Sequence, residues 1–419
     1  MTKILLMGCV IGSSDSTSIT VNSFFSDYKT DQFVIVSLNH DILLYYNDKL
    51  VQELVSIGQV WDLSQNRPFT WEAANDIITY GKSKKRMGIN RVLIKALSRL
   101  EVNDVLVPSK ISKELLNFLH QQNVALIYST LSNYYWIKEV WKLQRLLNVN
   151  VIIHFFDNWL EEKELAIKKS FLKKMLAKKW FNRTFLFKGV YFCISSQMQK
   201  AYKEKYNLDS RVFFNTVELD TNFEVSGRDS NFLKIGYFGR IGRGNVNAIS
   251  YFSRAVSEIT AICGLQVVLD LFINSGEYDF PQFRNVNVCP SVRYIDVFHK
   301  IRDYDFLLLP LDAVKESTVF IKYSIPTKFA DYASSGVPII SFGPLDNAVN
   351  TIIFEKMLGF FIPYTEDIYT LKEKIEATLL SNLKNEVAFN AREYIKHNFS
   401  KGEKMREIKE VIESLKISC

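Results

Sequence analysis

The sequence predicts an α/β protein made of two doubly wound parallel-sheet domains. First, its 419 residues exceed what one hydrophobic core comfortably holds. Second, short apolar strands alternate with helices along the chain, which is typical of parallel sheets covered on both faces. Third, this alternation stops in a polar segment at residues 218–231 and begins again at Leu233. Two Rossmann-like domains joined by a linker account for all three observations.

The composition is that of a globular protein with a basic surface. Hydrophobic residues make up 47% of the chain and charged residues 23%, and the net charge is +7. Such an excess suits nucleic acid, an anionic membrane or phosphorylated substrates. The five cysteines form no Cys-x-x-Cys pair, so neither a zinc site nor a disulfide framework is expected, and a reducing cytoplasm fits. No apolar run reaches the ~18 residues of a membrane span.

The first domain opens with a buried strand at residues 4–7. A loop of small residues follows, with Gly8, Gly12 and Ser13, and a helix is predicted from Ser18. This is the usual start of a doubly wound fold, but Gly-x-Gly-x-x-Gly is missing, so a nicotinamide cofactor is not expected. Further strands are predicted at 33–38, 105–107, 124–128, 149–154, 190–195 and 212–214, and helices at 110–120 and 134–147.

The second domain repeats the pattern with strands at 233–239, 267–272, 286–288, 306–309 and 339–342. An amphipathic helix ends the chain after Phe399. The predicted boundaries are 1–220 for the first domain, 221–231 for the linker, 232–398 for the second domain and 399–419 for the last helix.

The stretch from Ser324 to Ile340 predicts a short helix that feeds a buried strand. Pro326 suits the first helical turn, and Gly336 is placed to end the helix in a left-handed conformation. Lys328 therefore lies in the first turn, where free N–H groups and the helix dipole favour an anion. One interpretation is half of a phosphate site, and the other is a capped surface helix with a solvated lysine.

A glycine-rich loop, Gly239-Arg240-Ile241-Gly242-Arg243-Gly244-Asn245, follows the first strand of the second domain. Glycine lets a backbone approach a ligand closely, and arginine pairs well with phosphate oxygens. Ligands of such sheets bind at the carboxyl ends of strands, where this loop lies. The alternative is a glycine-rich turn with solvated arginines.

His154 and Asp157 come at the end of another buried strand, within Val151-Ile152-Ile153-His154-Phe155-Phe156-Asp157-Asn158-Trp159. Either side chain could orient or deprotonate a hydroxyl group of a substrate. The alternative is that His154 is a satisfied core histidine and that Asp157 caps the helix after it.

Two stretches of the first domain combine cations with apolar residues. Residues 82–99 carry seven Lys and Arg residues and no acid, and residues 168–179 carry six lysines. An apolar stripe beside a cationic face indicates an anionic membrane surface. A solvated face on a core helix is equally open, and nucleic acid is not predicted because no recognition motif accompanies the charge.

The pattern Ser-x-Pro-x-Lys-(x)2-Asp-Tyr-(x)3-Gly-x-Pro-Ile-Ile from Ser324 resembles the donor-nucleotide motif of GT-B glycosyltransferases. It is most similar to bacterial enzymes near glycosyltransferase family 4 that build surface polysaccharides. The resemblance implies two domains facing each other across a cleft, with the last helix returning to the first domain. It implies that the donor contacts come from Gly239, Arg240, Arg243, Tyr323, Ser324, Pro326, Lys328 and Asp331.

Two positions depart from the family pattern of paired glutamates, Glu-(x)7-Glu. Asp331 replaces the second glutamate and could hold the ribose hydroxyls, whereas Tyr323 replaces the first. Arg243 also follows Arg240 at a shorter spacing than the usual second basic residue. The donor-sugar contacts and the stereochemical outcome therefore stay open.

The resemblance implies a metal-independent, hexosyltransferase-like enzyme that needs no cofactor. It would move a sugar from a nucleotide-sugar donor to a saccharide or polyprenyl-linked acceptor, in the synthesis of a bacterial capsule, O-antigen or exopolysaccharide. Its place would be the inner face of the cytoplasmic membrane, with Asp157 or His154 catalytic and Gly8, Gly12 and Ser13 in an acceptor loop. The alternatives are a catalytically idle GT-B-shaped partner of an assembly complex, or a GT-B sugar-nucleotide epimerase.

Overall fold

The chain forms two compact units in the computed structural model. Unit 1 comprises Met1–Phe213 and Met405–Cys419, and unit 2 comprises Phe214–Lys404. The structure describes residues 2–12, 16–45, 48–72, 103–169, 171–217, 231–273, 281–313 and 319–417. Ser13, the basic stretch 82–99 and the predicted linker up to residue 230 lie outside these ranges. Within them, no helix is both long and apolar enough to cross a membrane.

Unit 1 contains one eight-stranded sheet with the strand order β4-β3-β2-β1-β5-β6-β7-β8. All neighbours pair in parallel except β3 and β4, which pair antiparallel at one edge. The central strands are buried on both faces because helices cover both sides of the sheet. The strands are β1 Lys3–Met7, β2 Phe33–Ser37, β3 Val60–Asp62, β4 Arg67–Pro68, β5 Val124–Ser129, β6 Asn150–Phe155, β7 Gly189–Cys193 and β8 Arg211–Val212.

The helices of unit 1 fill the connections between these strands and add one element from the end of the chain. They are α1 Ser16–Phe24, α2 Asn39–Leu43, α3 Lys49–Ser56, α4 Asn103–Leu106, α5 Lys113–Gln121, α6 Tyr134–Leu147, α7 Trp159–Lys169, α8 Phe171–Arg183, α9 Ser196–Tyr206 and α16 Lys401–Ile417, whose residues from Met405 onward belong to unit 1.

One predicted strand of unit 1 is wrong. Residues 105–107 were expected to be extended, but Val105 and Leu106 belong to helix α4. The Lys138 ammonium of α6 donates to the carbonyl oxygens of Val105 and Val107, the groups that a strand would offer to a neighbouring strand. Three apolar residues in a row did not distinguish a strand from a helical turn tied to α6.

The C-terminal helix α16 completes the hydrophobic core of unit 1. Its apolar residues Met405, Ile408, Val411 and Ile412 are at most 4% exposed and pack in the same cluster as β1, β2 and β5. The side-chain amide of Asn150 in β6 also donates to the carbonyl of Leu415 at 2.6 Å. The last helix is therefore part of the packing of unit 1.

Unit 2 contains a six-stranded parallel sheet with the order β11-β10-β9-β12-β13-β14. The order reverses between β9 and β12, so the carboxyl ends of these two strands flank the topological switch point, where open α/β sheets bind ligands. The strands are β9 Phe232–Phe238, β10 Gln266–Ile273, β11 Val286–Pro290, β12 Phe306–Pro310, β13 Ile339–Gly343 and β14 Phe360–Pro363, and the helices are α10 Val246–Ser257, α11 Tyr294–Lys300, α12 Lys328–Ser334, α13 Ala348–Lys356, α14 Ile368–Leu380 and α15 Lys384–Asn398.

The packing of α16 gives a testable consequence for stability. Ile412→Ala removes a side chain with no exposed surface, so the free energy of unfolding of unit 1 should fall by about 2–5 kcal/mol. Urea unfolding followed by tryptophan fluorescence reports unit 1 alone, because all six tryptophans lie in that unit. The matched control is Lys409→Ala, which truncates an exposed side chain on the same helix. Equal effects of the two substitutions would contradict the packing.

Candidate functional site

The glycine-rich loop of unit 2 begins at a residue whose backbone requires glycine. Gly239 follows β9 with φ +145°, and its N–H donates to the carbonyl of Phe272 at 3.1 Å. A Cβ at this position would lie 2.6 Å from the Nζ atom of Lys328. The missing side chain therefore lets the ammonium group of Lys328 lie against the backbone at the switch point of the sheet.

A single tyrosine hydroxyl joins Lys328 to the loop. Lys328 Nζ donates to Tyr237 Oη at 2.8 Å, and Asn245 Nδ2 donates to the same oxygen at 2.9 Å. The hydroxyl in turn donates to the carbonyl of Arg240 at 2.6 Å. A hydroxyl has one proton to donate and two lone pairs, so Tyr237 uses its full hydrogen-bonding capacity here. The backbone of Arg240 is thereby fixed next to the lysine.

Lys328 and Asp331 of α12 have strongly shifted pKa values. Burial lowers the pKa of Lys328 to about 7 and raises the pKa of Asp331 to about 7. The hydroxyl of Tyr294 donates to Asp331 Oδ1 at 3.3 Å and opposes the shift of the carboxyl group. Burial removes water from a charge and so disfavours the charged form in both cases. Oppositely shifted groups one helical turn apart are typical of functional sites.

Both arginines of the loop have exposed side chains. The guanidinium of Arg243 stacks over Phe320, with 5.2 Å between its Cζ atom and the ring centre. The loop continues into α10, and the carbonyl of Gly244 accepts from the N–H of Asp312 at 2.8 Å. Arg240 thus extends from a backbone that Tyr237 fixes, and the guanidinium of Arg243 lies over an aromatic ring.

The segment before α12 is held by the neighbouring helix α13. The N–H of Ala348 donates to the carbonyl of Lys322 at 2.8 Å, and Ser324 Oγ donates to the carbonyl of Phe320 at 3.3 Å. Tyr323 lies beside Lys322, whose Nζ is 5.3 Å from the ring centre. This backbone attachment fixes the position from which the chain enters α12.

The boundaries of α12 match the sequence prediction closely at one end. Gly336 has φ +72° and follows the helix, which confirms the predicted left-handed stop. At the other end the helix begins at Lys328, so Pro326 precedes the helix instead of occupying its first turn. The carbonyl of Pro326 accepts from the N–H of Phe329 at 2.9 Å, so the proline still supports the helix start.

Sequence reasoning missed the side chains that position the predicted ones. Tyr237 and Asn245 hold Lys328 and Arg240, and Tyr332 accepts the N–H of Phe238 at 2.8 Å. In the sequence Tyr237 is one of several aromatic residues in an apolar strand. The signal that could have found it is a tyrosine two residues before a glycine-rich loop, because a buried phenol needs a hydrogen-bond partner.

In unit 1, His154 is a buried core residue. It has no exposed surface, and the rings of Phe24, Phe156 and Phe213 surround it. Its Nε2 is 3.3 Å from the carbonyl of Phe213, and its Nδ1 is 2.9 Å from Tyr128 Oη. The carbonyl can only accept, so Nε2 carries the proton and Nδ1 accepts from the phenol. Burial lowers the pKa of His154 to about 3, which keeps the ring neutral. These contacts match the alternative in which His154 is a core histidine with satisfied hydrogen bonds.

Asp157 is half-buried in the turn between β6 and α7. Its carbonyl accepts from the N–H of Trp159 at 2.7 Å. The next residue, Asn158, is fully buried, donates to Glu161 Oε2 at 2.9 Å and accepts from Tyr202 Oη at 3.2 Å. The turn is therefore anchored by Asn158, and it places the carboxyl group of Asp157 at the carboxyl end of the sheet.

The predicted acceptor loop begins in a tightly packed turn. Gly8 has φ +68°, and a Cβ there would lie 2.8 Å from ring atoms of Trp136. A Cβ at Gly12 would lie 2.8 Å from Asp48 Oδ2. The carboxylate of Asp48 caps α3 by accepting from the N–H of Leu50 at 3.0 Å. Close neighbours inside unit 1 thus leave little space for a side chain at either glycine.

The predicted residues therefore form two groups. Gly239, Arg240 and Lys328 come together around Tyr237 in unit 2, with Asp331 one turn further along α12. The residues predicted for the acceptor side that the structure describes all belong to unit 1, namely Gly8, Gly12, His154 and Asp157.

Comparisons with solved structures identify the fold. The chain superimposes on Anabaena HepE in complex with UDP-glucose with a TM-score of 0.59, 11% identity and coverage of 99% of this chain and 100% of that one. The values for sucrose-phosphate synthase from Thermosynechococcus elongatus are a TM-score of 0.63, 11% identity and full coverage of both chains. A glycosyltransferase from Rickettsia africae gives a TM-score of 0.56, 12% identity and coverage of 99% and 98%.

These structures are GT-B glycosyltransferases, so the chain has the GT-B fold that the sequence motif predicted. At 11–12% identity the likeness establishes the fold alone. No protein-family model matches the chain. No curated protein matches its sequence.

The state of Lys328 can be tested by its reactivity. Only a neutral amine acylates, so the rate of Lys328 acetylation, measured by peptide mass mapping across pH, should have its midpoint near pH 7. Tyr237→Phe removes an acceptor of the ammonium proton and should move the midpoint lower. A midpoint near the ordinary lysine value of about 10.4 would contradict the burial of this group.

Proposed function

We propose that this chain, which has the GT-B fold, is a glycosyltransferase that moves a sugar from a nucleotide-sugar donor to a saccharide or polyprenyl-linked acceptor. The observation that carries the proposal is the position of Lys328, whose ammonium group lies against Gly239 at the switch point of the unit 2 sheet. A cation held at this position against a glycine backbone suits the diphosphate of a nucleotide sugar. The motif from Ser324 to Ile340 supports the same assignment.

The donor side would use the electrostatics of α12. A diphosphate favours the charged form of Lys328, so donor binding would restore the proton that burial makes unfavourable. Arg240 would add a second cation from the loop that Tyr237 fixes. Asp331 would accept hydrogen bonds from the ribose hydroxyls. HepE is solved with UDP-glucose, and we propose a UDP-sugar as the donor here.

The acceptor side would use Asp157 as a general base. Its carboxylate would take the proton of the acceptor hydroxyl while that oxygen forms a bond to the anomeric carbon. The bond from the anomeric carbon to the diphosphate breaks, and the nucleoside diphosphate leaves with the electron pair. Lys328 and Arg240 would stabilise the charge that develops on the leaving group. The burial and bonding of His154 favour a structural role for that residue.

Tyr323 supports a second candidate, a catalytically idle protein of the same fold. It occupies the position of a family glutamate, and its phenol cannot supply a carboxylate to the donor sugar. A sugar-nucleotide epimerase of the same fold would also use the unit 2 site. Donor consumption that requires an acceptor separates transfer from both alternatives.

The acceptor would be membrane-bound, in the synthesis of a bacterial surface polysaccharide at the inner face of the cytoplasmic membrane. Helix α8 of unit 1 supports this part of the proposal. Phe171 and Met175 are 83% and 61% exposed, and the side chains of Lys174, Lys178 and Lys179 are exposed on the same helix. Exposed apolar residues among lysines suit the surface of an anionic bilayer.

The donor site predicts a loss of affinity when either cation is removed. Arg240→Ala and Lys328→Ala should each weaken UDP-glucose binding about tenfold or more, because a charge-assisted hydrogen bond contributes about 1.5–3 kcal/mol. In the wild type, affinity should fall as pH rises through about 7, because Lys328 loses its proton there. Calorimetric titration measures both effects.

The control for the donor site is Arg254→Ala, which removes an exposed arginine of α10 from the same unit. The fall in affinity with rising pH should disappear in Lys328→Ala, because the remaining group with a pKa of about 7, Asp331, becomes a better hydrogen-bond acceptor as pH rises. If both site variants bind as tightly as the wild type, Lys328 and Arg240 do not form the donor site.

The acceptor site predicts a loss of rate without a loss of donor affinity. Asp157→Asn should lower transfer by about 10²–10⁴-fold, because a missing general base costs this much. The assay is release of UDP from UDP-glucose in the presence of bacterial polyprenyl-linked saccharide extract. His154→Gln should instead lower the stability of unit 1 and leave turnover per folded molecule close to that of the wild type. Normal turnover by Asp157→Asn would show that the base is elsewhere.

A further inference from the structure

A groove on unit 1, between α6 and α8, combines aromatic rings with cations. Its volume is about 310 Å³, and it is lined by Trp141, Lys142, Arg145, Leu146, Trp180 and Arg183. None of these six residues is acidic. The carboxyl group of Glu139, one turn earlier on α6, interacts electrostatically with Lys142. Its Oε2 accepts from Ser109 Oγ at 2.9 Å, and burial raises its pKa.

The guanidinium of Arg183 makes cation–π contacts with two indole rings. Its Cζ atom lies 4.5 Å from the ring centre of Trp180 and 5.3 Å from that of Trp141. Trp141 is itself packed edge-to-face on Phe187, at 5.6 Å between ring centres. Stacking fixes the plane of a guanidinium and leaves its N–H groups available at the edge of that plane. A planar fork of this kind matches the oxygens of a phosphate.

Apolar side chains stand exposed in and next to the groove. Leu146, which lines it, is 54% exposed, and Leu186, one turn after Arg183, is 64% exposed. Tryptophan prefers the interface between a bilayer and water, where its ring is apolar and its N–H is wet. An anionic lipid has a negative charge that can pair with the cations of the groove and acyl chains that can contact its leucines.

We propose that this groove binds the phosphate of an anionic phospholipid headgroup. The inference rests on the membrane attachment proposed above and gives it a defined site. Arg183 would bind two phosphate oxygens, Arg145 and Lys142 would add charge from α6, and Leu146 and Leu186 would contact the acyl region. The site is separate from the donor residues, which all belong to unit 2.

The test uses exchanges that keep the charge of the protein constant. The full chain, without nucleotide, is sedimented with phosphatidylcholine vesicles that contain or lack phosphatidylglycerol. Arg183→Lys removes the planar fork and should weaken binding to phosphatidylglycerol vesicles about tenfold. Lys113→Arg, an exchange at an exposed position of α5 outside the groove and the basic face of α8, should leave binding unchanged. Unchanged binding by Arg183→Lys would overturn the proposal, as would equal binding of the wild type to vesicles of phosphatidylcholine alone.

A second measurement locates the ligand. The indole N–H signals of Trp141 and Trp180, assigned in NMR spectra by Trp→Phe exchange, should shift on addition of dihexanoyl phosphatidylglycerol. Inorganic phosphate at the same concentration should shift neither signal. Equal shifts with inorganic phosphate, or shifts with RNA and not with the lipid, would overturn the lipid assignment. Donor affinity should be unchanged in Arg183→Lys, so failure of this site and failure of the proposed donor site give different results.

Discussion

The contact between the Lys328 ammonium and the turn at Gly239 is the constraint on which the unit 2 site depends. It requires a glycine at the end of β9, because φ there is +145° and a Cβ would lie only 2.6 Å from the Nζ atom. It requires Tyr237, whose hydroxyl accepts from Lys328 and donates to the carbonyl of Arg240. Strand β9 therefore contributes both the gap and the hydrogen-bond partner, and α12 contributes the cation. These elements meet at the switch point of the sheet.

Most of the fold could be predicted because its strands are short, apolar and buried on both faces. Strands β1, β2, β5 and β6 and most of the unit 2 sheet were expected within a few residues. The strands that were missed, β3, β4 and β14, are short, and β3 and β4 form the edge of the unit 1 sheet. Edge strands are defined by pairing with a neighbour more than by their own residues, and no local pattern contains that information.

The same difference between local patterns and distant partners decides which residues of the candidate site could be predicted. Lys328, Gly239 and Arg240 were found because a helix start and a glycine-rich loop have local signatures. Tyr237 was missed because its role comes from residues 91 positions away along the chain. For His154 the sequence left a core residue and a catalytic residue equally open. Burial and two hydrogen-bond partners carry the information that separates them, and both depend on residues of distant elements such as Tyr128 and Phe213.

The electrostatics of α12 show why a site of this kind is poised for a ligand. The folded-state pKa of Lys328 is lowered to about 7. Burial of its charge therefore lowers the free energy of unfolding by the full amount below that pH, and this loss disappears as pH rises to the ordinary lysine pKa. The pKa of Asp331 is raised to about 7. Burial of its carboxylate therefore lowers the free energy of unfolding progressively as pH rises from the ordinary aspartate pKa to about 7. Near neutral pH the unliganded protein therefore carries nearly the full cost of both groups.

A ligand that gives the lysine an anion and the carboxylate a hydroxyl donor lowers both costs at once. The stabilisation that it brings belongs to the folded state alone, since the unfolded chain does not assemble the site. A nucleotide-sugar donor would supply both groups, an anionic diphosphate and the hydroxyls of its ribose. In the function that we propose, relief of the free-energy cost of burying these two groups would thus contribute to the affinity for the donor.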